Sequence, residues 1–137
     1  MKSPKQIGII LLLLGLIGFA IWKESQPRDP GATISEVEWD MRGFLIAMQR
    51  YAVEYNHFPT GNASEIMAAL LGNNAEKLQF MEANERTTNS HGELIDPWQT
   101  PYRIAFDSTN HFTIRSAGKN KIFGDQDDYE LSSSGGK

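Results

Sequence analysis

The chain has 137 residues, no cysteine, and a formal net charge of −4 from 13 basic and 17 acidic side chains. The first thirty residues hold four basic and two acidic groups, leaving 9 and 15 for residues 31–137, a balance too acidic for a phosphate-backbone binder. The absence of cysteine excludes disulfides, thiolate metal sites, cysteine nucleophiles and cysteine lipidation, and the length suits one domain of about 100–150 residues with a tail.

Ile7 to Trp22 form a run of 16 residues with no charged or polar side chain, preceded by Lys2 and Lys5 and followed by Lys23. As a helix it spans about 24 Å, short of the roughly 30 Å hydrocarbon core of a bilayer. Gln6 and snorkelling Lys5 and Lys23 extend it to both interfaces. A cleaved secretory signal has the same charged start, and Gly18-Phe19-Ala20 is a tolerable cleavage site. The apolar run continues past it through Ile21 and Trp22, which favours an uncleaved anchor. In either case the basic residues before the span place the N-terminus inside and the rest of the chain outside. Pro27, Pro30 and Gly31 then break any helix leaving the membrane.

Met41, Leu45, Met48, Ala52 and Tyr55 recur at spacings of four, three, four and three, the period of an amphipathic helix. Val37, Phe44 and Tyr51 widen the stripe. Ser35 and Glu38 fit a capping box at its start, and Asn56 and Pro59 end it. Asn62-Ala63-Ser64-Glu65 suits the cap of a short second helix through Leu71, with Gly72 beyond it. Lys77 to Met81 reads as a short strand, and Thr87 to Gly92 as a polar loop. Tyr102, Ile104 and Phe106 alternate with polar or small residues, as do Phe112 and Ile114, and Asp107-Ser108-Thr109-Asn110 between them is turn chemistry. An antiparallel hairpin with its apolar face on the long helix follows.

Two segments stand out chemically. Asp96-Pro97-Trp98-Gln99-Thr100-Pro101-Tyr102 reads as a rigid elbow, since two prolines fix the backbone and two aromatics pin it; the competing function for Trp98 is an exposed binding platform. Ser116 to Tyr129 places Asp125, Asp127 and Asp128 within four residues, bracketed by Gly118 and Gly124. Carboxylates this close repel one another unless a cation lies between them. Calcium takes 6–8 oxygens and tolerates irregular loops. Asn120, Asp125, Asp127 and Asp128 offer side-chain oxygens, and turns at the glycines would aim carbonyls of Ala117 and Ile122 inward. The competing reading is a solvated acidic loop partly neutralised by Lys119 and Lys121. His57, His91 and His111 are scattered, and no nucleophile elbow, zinc-helix, P-loop or dinucleotide motif occurs, so the chain does not read as an enzyme with a small-molecule substrate.

The ordered series of His57-Phe58-Pro59-Thr60, Asp96 to Tyr102, a hairpin, and Ser116 to Asp128 resembles the G-type major pseudopilins of type II secretion systems, over roughly Val37 to Tyr129. The resemblance implies an α+β fold, a long N-terminal helix packed on a small antiparallel sheet. It implies a calcium-binding C-terminal loop. It also implies an inner-membrane, single-pass protein with its folded domain in the periplasm, assembling with secretion-system or pilus-like proteins and with itself into a fibre. Three departures accompany it. Gly8 is followed by Ile9-Ile10-Leu11-Leu12-Leu13, so Leu13 stands where the family carries a glutamate near its processed N-terminus. Prolines interrupt a helix that is continuous in the family. Gln99 and Thr100 replace the Gly-Asn of the family's usual elbow. The alternative is therefore a membrane-tethered periplasmic interaction module that keeps the fold and does not polymerise. The expected organisation is an anchor or signal helix at 1–23, a linker at 24–34, the pseudopilin-like domain at 35–131 and a disordered tail at 132–137.

Overall fold

The computed structural model describes residues 34–82, 87–108 and 111–133. The apolar run Ile7–Trp22 and the linker up to residue 33 lie outside the described residues. Among the described residues no helix is long and apolar enough to cross a membrane.

Helix α1, Ile34–Tyr55, is the spine of the domain. Its buried side is Val37, Met41, Phe44, Met48 and Tyr51, with Ala47 beside them. The spacing of four, three, four and three is the expected one, but the stripe is centred one position earlier: Leu45, Ala52 and Tyr55 are only partly covered. The helix starts at Ile34, so Ser35 lies inside the first turn rather than at the cap. Glu36 places an acidic group in that turn, where the helix dipole favours it. Asn56, at φ 59°, closes the far end in the left-handed conformation that asparagine tolerates.

Helix α2, Ala63–Leu70, has the anticipated capping box: the Asn62 side chain accepts from the Glu65 amide at 3.0 Å, and Glu65 Oε2 accepts from the Asn62 amide at 2.8 Å. Ile66, Met67 and Leu70 are its buried face. The segment after it is not the expected strand. Asn74 satisfies the backbone there instead, accepting from the Leu78 amide and donating to the carbonyls of Ala69 and Leu78. The amides of Phe80 and Met81 both reach the Leu70 carbonyl. With these partners local, 77–81 has no need of a ladder.

The sheet is antiparallel in the order β1-β2-β3, with β1 Arg103–Ser108, β2 His111–Ser116 and β3 Tyr129–Ser132. The hairpin keeps its register from Arg103↔Arg115 to Phe106↔Phe112, then shifts before Ser108↔His111; Asp107 and Ser108, expected in the turn, lie in β1. Phe112 and Ile114 on the central strand are wholly buried. Phe112 meets Phe44 of α1 edge-on at 5.9 Å and Phe58 at 5.2 Å. The expected arrangement, a helix across the apolar face of a hairpin, is the one observed. Strand β3, four residues long, is too short to carry a period of its own; its Leu131 pairs with Ile114. Ser132 lies in β3, and Ser133 exchanges hydrogen bonds with Phe112, donating from its amide at 2.9 Å and accepting on Oγ at 2.8 Å. Of the residues expected in the tail at 132–137, Ser132 therefore lies in the sheet and Ser133, a turn residue, is bonded to it.

Candidate functional site

The elbow is a three-residue hairpin loop. Ile95 bridges to Pro101, and the Asp96 amide donates to the Thr100 carbonyl at 2.8 Å. Pro97 suits the first turn position, and Gln99 sits at φ 71°, the left-handed residue that such loops require. Asp96 is the node. It is wholly buried, its Oδ1 accepts from the amides of Trp98 and Thr100 at 3.0 and 2.8 Å, and its Oδ2 accepts from the Ser116 hydroxyl at 2.7 Å. Ser116 Oγ in turn accepts from the Gly118 amide at 3.1 Å. The elbow is thus bonded to the start of the acidic loop, 20 residues on. Burial pushes the Asp96 carboxyl above its ordinary range, opposed by these hydrogen bonds and by Lys121. The sequence carried only the Asp-Pro turn signal for this residue; the Ser116 bond depends on tertiary proximity. Trp98 is half-buried with its ring within 19° of the plane of Tyr129 and 6.3 Å away, so it acts as a packing residue of the elbow rather than as an open platform.

The loop from Ala117 to Asp128 connects β2 to β3. Ala117 is fully buried. Gly118, at φ 65°, lies so close to the returning arm that a β-carbon there would meet the Asp127 carbonyl at 2.1 Å. The Asn120 amide donates to Asp127 Oδ2 at 2.9 Å, and its side chain donates to Asp125 Oδ2 at 2.7 Å. Asp125 Oδ1 accepts from the Asp127 amide, and Asn120 Oδ1 from the Ile122 amide. The Ile122 side chain projects into solvent. Arg103 of β1 lies over the Phe123 ring at 3.8 Å, fastening the middle of the loop to the sheet.

Asp128 is different from its neighbours. Its side chain is only 10% exposed. Oδ2 accepts from the Gly124 amide at 2.8 Å and lies 4.0 Å from Arg115 Nη1, while Oδ1 is buried with no hydrogen-bond partner. A buried carboxylate oxygen without a donor is costly, and it is the type of atom that a hard cation takes. The loop thus brings Asn120, Asp125, Asp127 and Asp128 together, but not as a ring of carboxylates: among the described residues, no three His, Asp or Glu side chains converge to hold a metal alone. Most of the side-chain oxygens are already turned on loop amides.

A capped second helix, a long helix across an antiparallel sheet, and an elbow bonded to a folded acidic loop define a pilin-like α+β domain. The profile of the family described as type II secretion system (T2SS), protein G, matches residues 26–134, and the chain belongs to that family. No curated protein and no solved structure matches it.

Proposed function

We propose that this protein is a structural, non-catalytic component of a type II secretion or pilus-like assembly, held at the inner membrane with its domain in the periplasm, and that its 117–128 loop binds calcium. Family membership supports the assembly role. The observation that carries the calcium reading is the buried, donor-free Oδ1 of Asp128 in a loop that also holds Asn120, Asp125 and Asp127. Main-chain carbonyls, including those of Ala117 and Ile122, complete the oxygen set that calcium needs. An ion bound only by the folded state stabilises by about 2.7 kcal/mol at 100 times its dissociation constant. Calcium should raise the melting temperature, chelator should lower it, and magnesium should do less because it requires compact octahedral geometry. Asp128→Ala should abolish the effect, whereas Asp107→Ala on β1 should leave it intact. Calorimetry with neither calcium heat nor a shift in melting would refute the site.

One observation favours the tethered, non-polymerising module instead: Leu13 stands where the family carries its glutamate. Intact mass of protein from membranes decides between them. A retained Met1 to Gly8 segment with resistance to carbonate extraction supports the static anchor. A new N-terminus at Ile9 supports the processed subunit.

A further inference from the structure

We infer that Arg115 sets how tightly the 117–128 loop holds a divalent cation, by competing with that cation for Asp128; this rests on the calcium reading above. Arg115 lies on the central strand and is the direct cross-strand partner of Arg103. Two like charges facing each other across a strand pair repel, so each needs a counterpart elsewhere. Arg103 takes the face of the Phe123 ring at 3.8 Å. Arg115 takes two carboxylates at the loop's exit: its Nε donates to Glu130 Oε2 at 2.9 Å, its Nη2 bonds to the same oxygen, and its Nη1 lies 4.0 Å from Asp128 Oδ2.

A guanidinium keeps its charge at any pH the protein meets. It therefore stands as a permanent cation beside the carboxylate whose other oxygen is the unpartnered one. When no metal is bound, Arg115 offsets part of the charge of Asp128. When a divalent ion sits on Oδ1, Arg115 becomes a like charge one carboxylate away, a distance at which repulsion changes affinity by on the order of tenfold. Glu130 moderates this by drawing the guanidinium outward.

The two roles give opposite signs. Arg115→Gln in the full-length chain, solubilised in detergent, should melt lower than wild type without metal. It should nonetheless bind calcium about 3- to 10-fold more tightly in calorimetric titration with calcium chloride. Arg115→Lys, which keeps the charge, should stay near the wild-type affinity. Glu130→Gln should weaken calcium binding, and that loss should shrink when combined with Arg115→Gln, because the freed competitor is gone. A purely structural role predicts that Arg115→Gln lowers metal-free stability and affinity together. Wild-type binding with an unchanged or weaker Arg115→Gln variant would overturn the competition and leave the calcium site standing. A wild-type chain that takes up no calcium would overturn both.

Discussion

Asp96 Oδ2 accepts the Ser116 hydroxyl at 2.7 Å with neither side chain exposed to solvent. This one bond joins the elbow to the strand from which the acidic loop departs. Asp96→Ala would leave the buried Ser116 hydroxyl without its acceptor, at about 1–3 kcal/mol, and would strip two partly buried amides of theirs as well. We expect it to be among the most destabilising single changes in the domain by denaturant titration, and to lower calcium affinity as well, since the Gly118 amide depends on Ser116.

Asp96→Asn separates charge from shape. Desolvation raises the folded-state pKa of Asp96, so the folded protein retains a proton that the unfolded chain releases at about pH 4. That contribution is complete below about pH 4 and disappears as pH rises through the folded pKa. The asparagine variant carries no such dependence. Its stability relative to wild type should therefore improve as pH climbs from about 4 through the raised folded-state pKa, and level off above it. Denaturation curves at several pH values, showing a constant gap instead, would mean that burial does not perturb this carboxyl.

Gln99 occupies a left-handed position at φ 71°, where an L-residue with a β-carbon is strained by about 1–2 kcal/mol. Glycine removes the strain and adds some unfolded-state entropy. Gln99→Gly should raise stability by roughly 0.5–1 kcal/mol, measured as a higher denaturant midpoint with an unchanged slope.

Gly118 and Gly124 both have positive φ, yet they should respond differently. A β-carbon at Gly118 would lie 2.1 Å from the Asp127 carbonyl, and one at Gly124 would meet nothing within 4 Å. Gly124→Ala should cost only the backbone strain, about 1–2 kcal/mol. Gly118→Ala must in addition part the two arms of the loop, and should cost more and abolish the calcium-dependent rise in melting temperature.

In the core, Phe44 is fully buried against Phe112, so Phe44→Ala should cost about 3–5 kcal/mol. Ile46, 54% exposed two residues on, should lose well under 1 kcal/mol as alanine. Equal losses at the two positions would contradict the helix face described above.

Local chemistry was what the sequence showed well. The cap at Asn62 and the helix stop at Asn56 depend on neighbours within four or five residues, and the hairpin strands alternate over six residues each, so their signals lie in short windows. The centre of the α1 stripe was missed by one position because Leu45 and Phe44 are both apolar, and only the Phe44–Phe112 contact decides which faces inward. Strand β3 was invisible because Tyr-Glu-Leu-Ser is too short for a period, and its pairing is supplied by β2. At the loop, the clustered aspartates were legible, but not the division of labour among them. That most oxygens bind amides while Asp128 Oδ1 is left over follows from how Gly118 lets the two arms meet.

Among the described residues, strand β3 pairs with the ladder on one side only, and the loop before it separates it by 12 residues from its partner β2. Closing a loop of that length costs about 2 kcal/mol of chain entropy before any pairing is gained. The C-terminal strand, the loop and the Ser133 clasp should therefore open as one unit. In native-state hydrogen exchange their amides should leave protection together, ahead of the β1–β2 hairpin and α1. Whatever steadies the loop then steadies β3 and the Ser133 clasp with it.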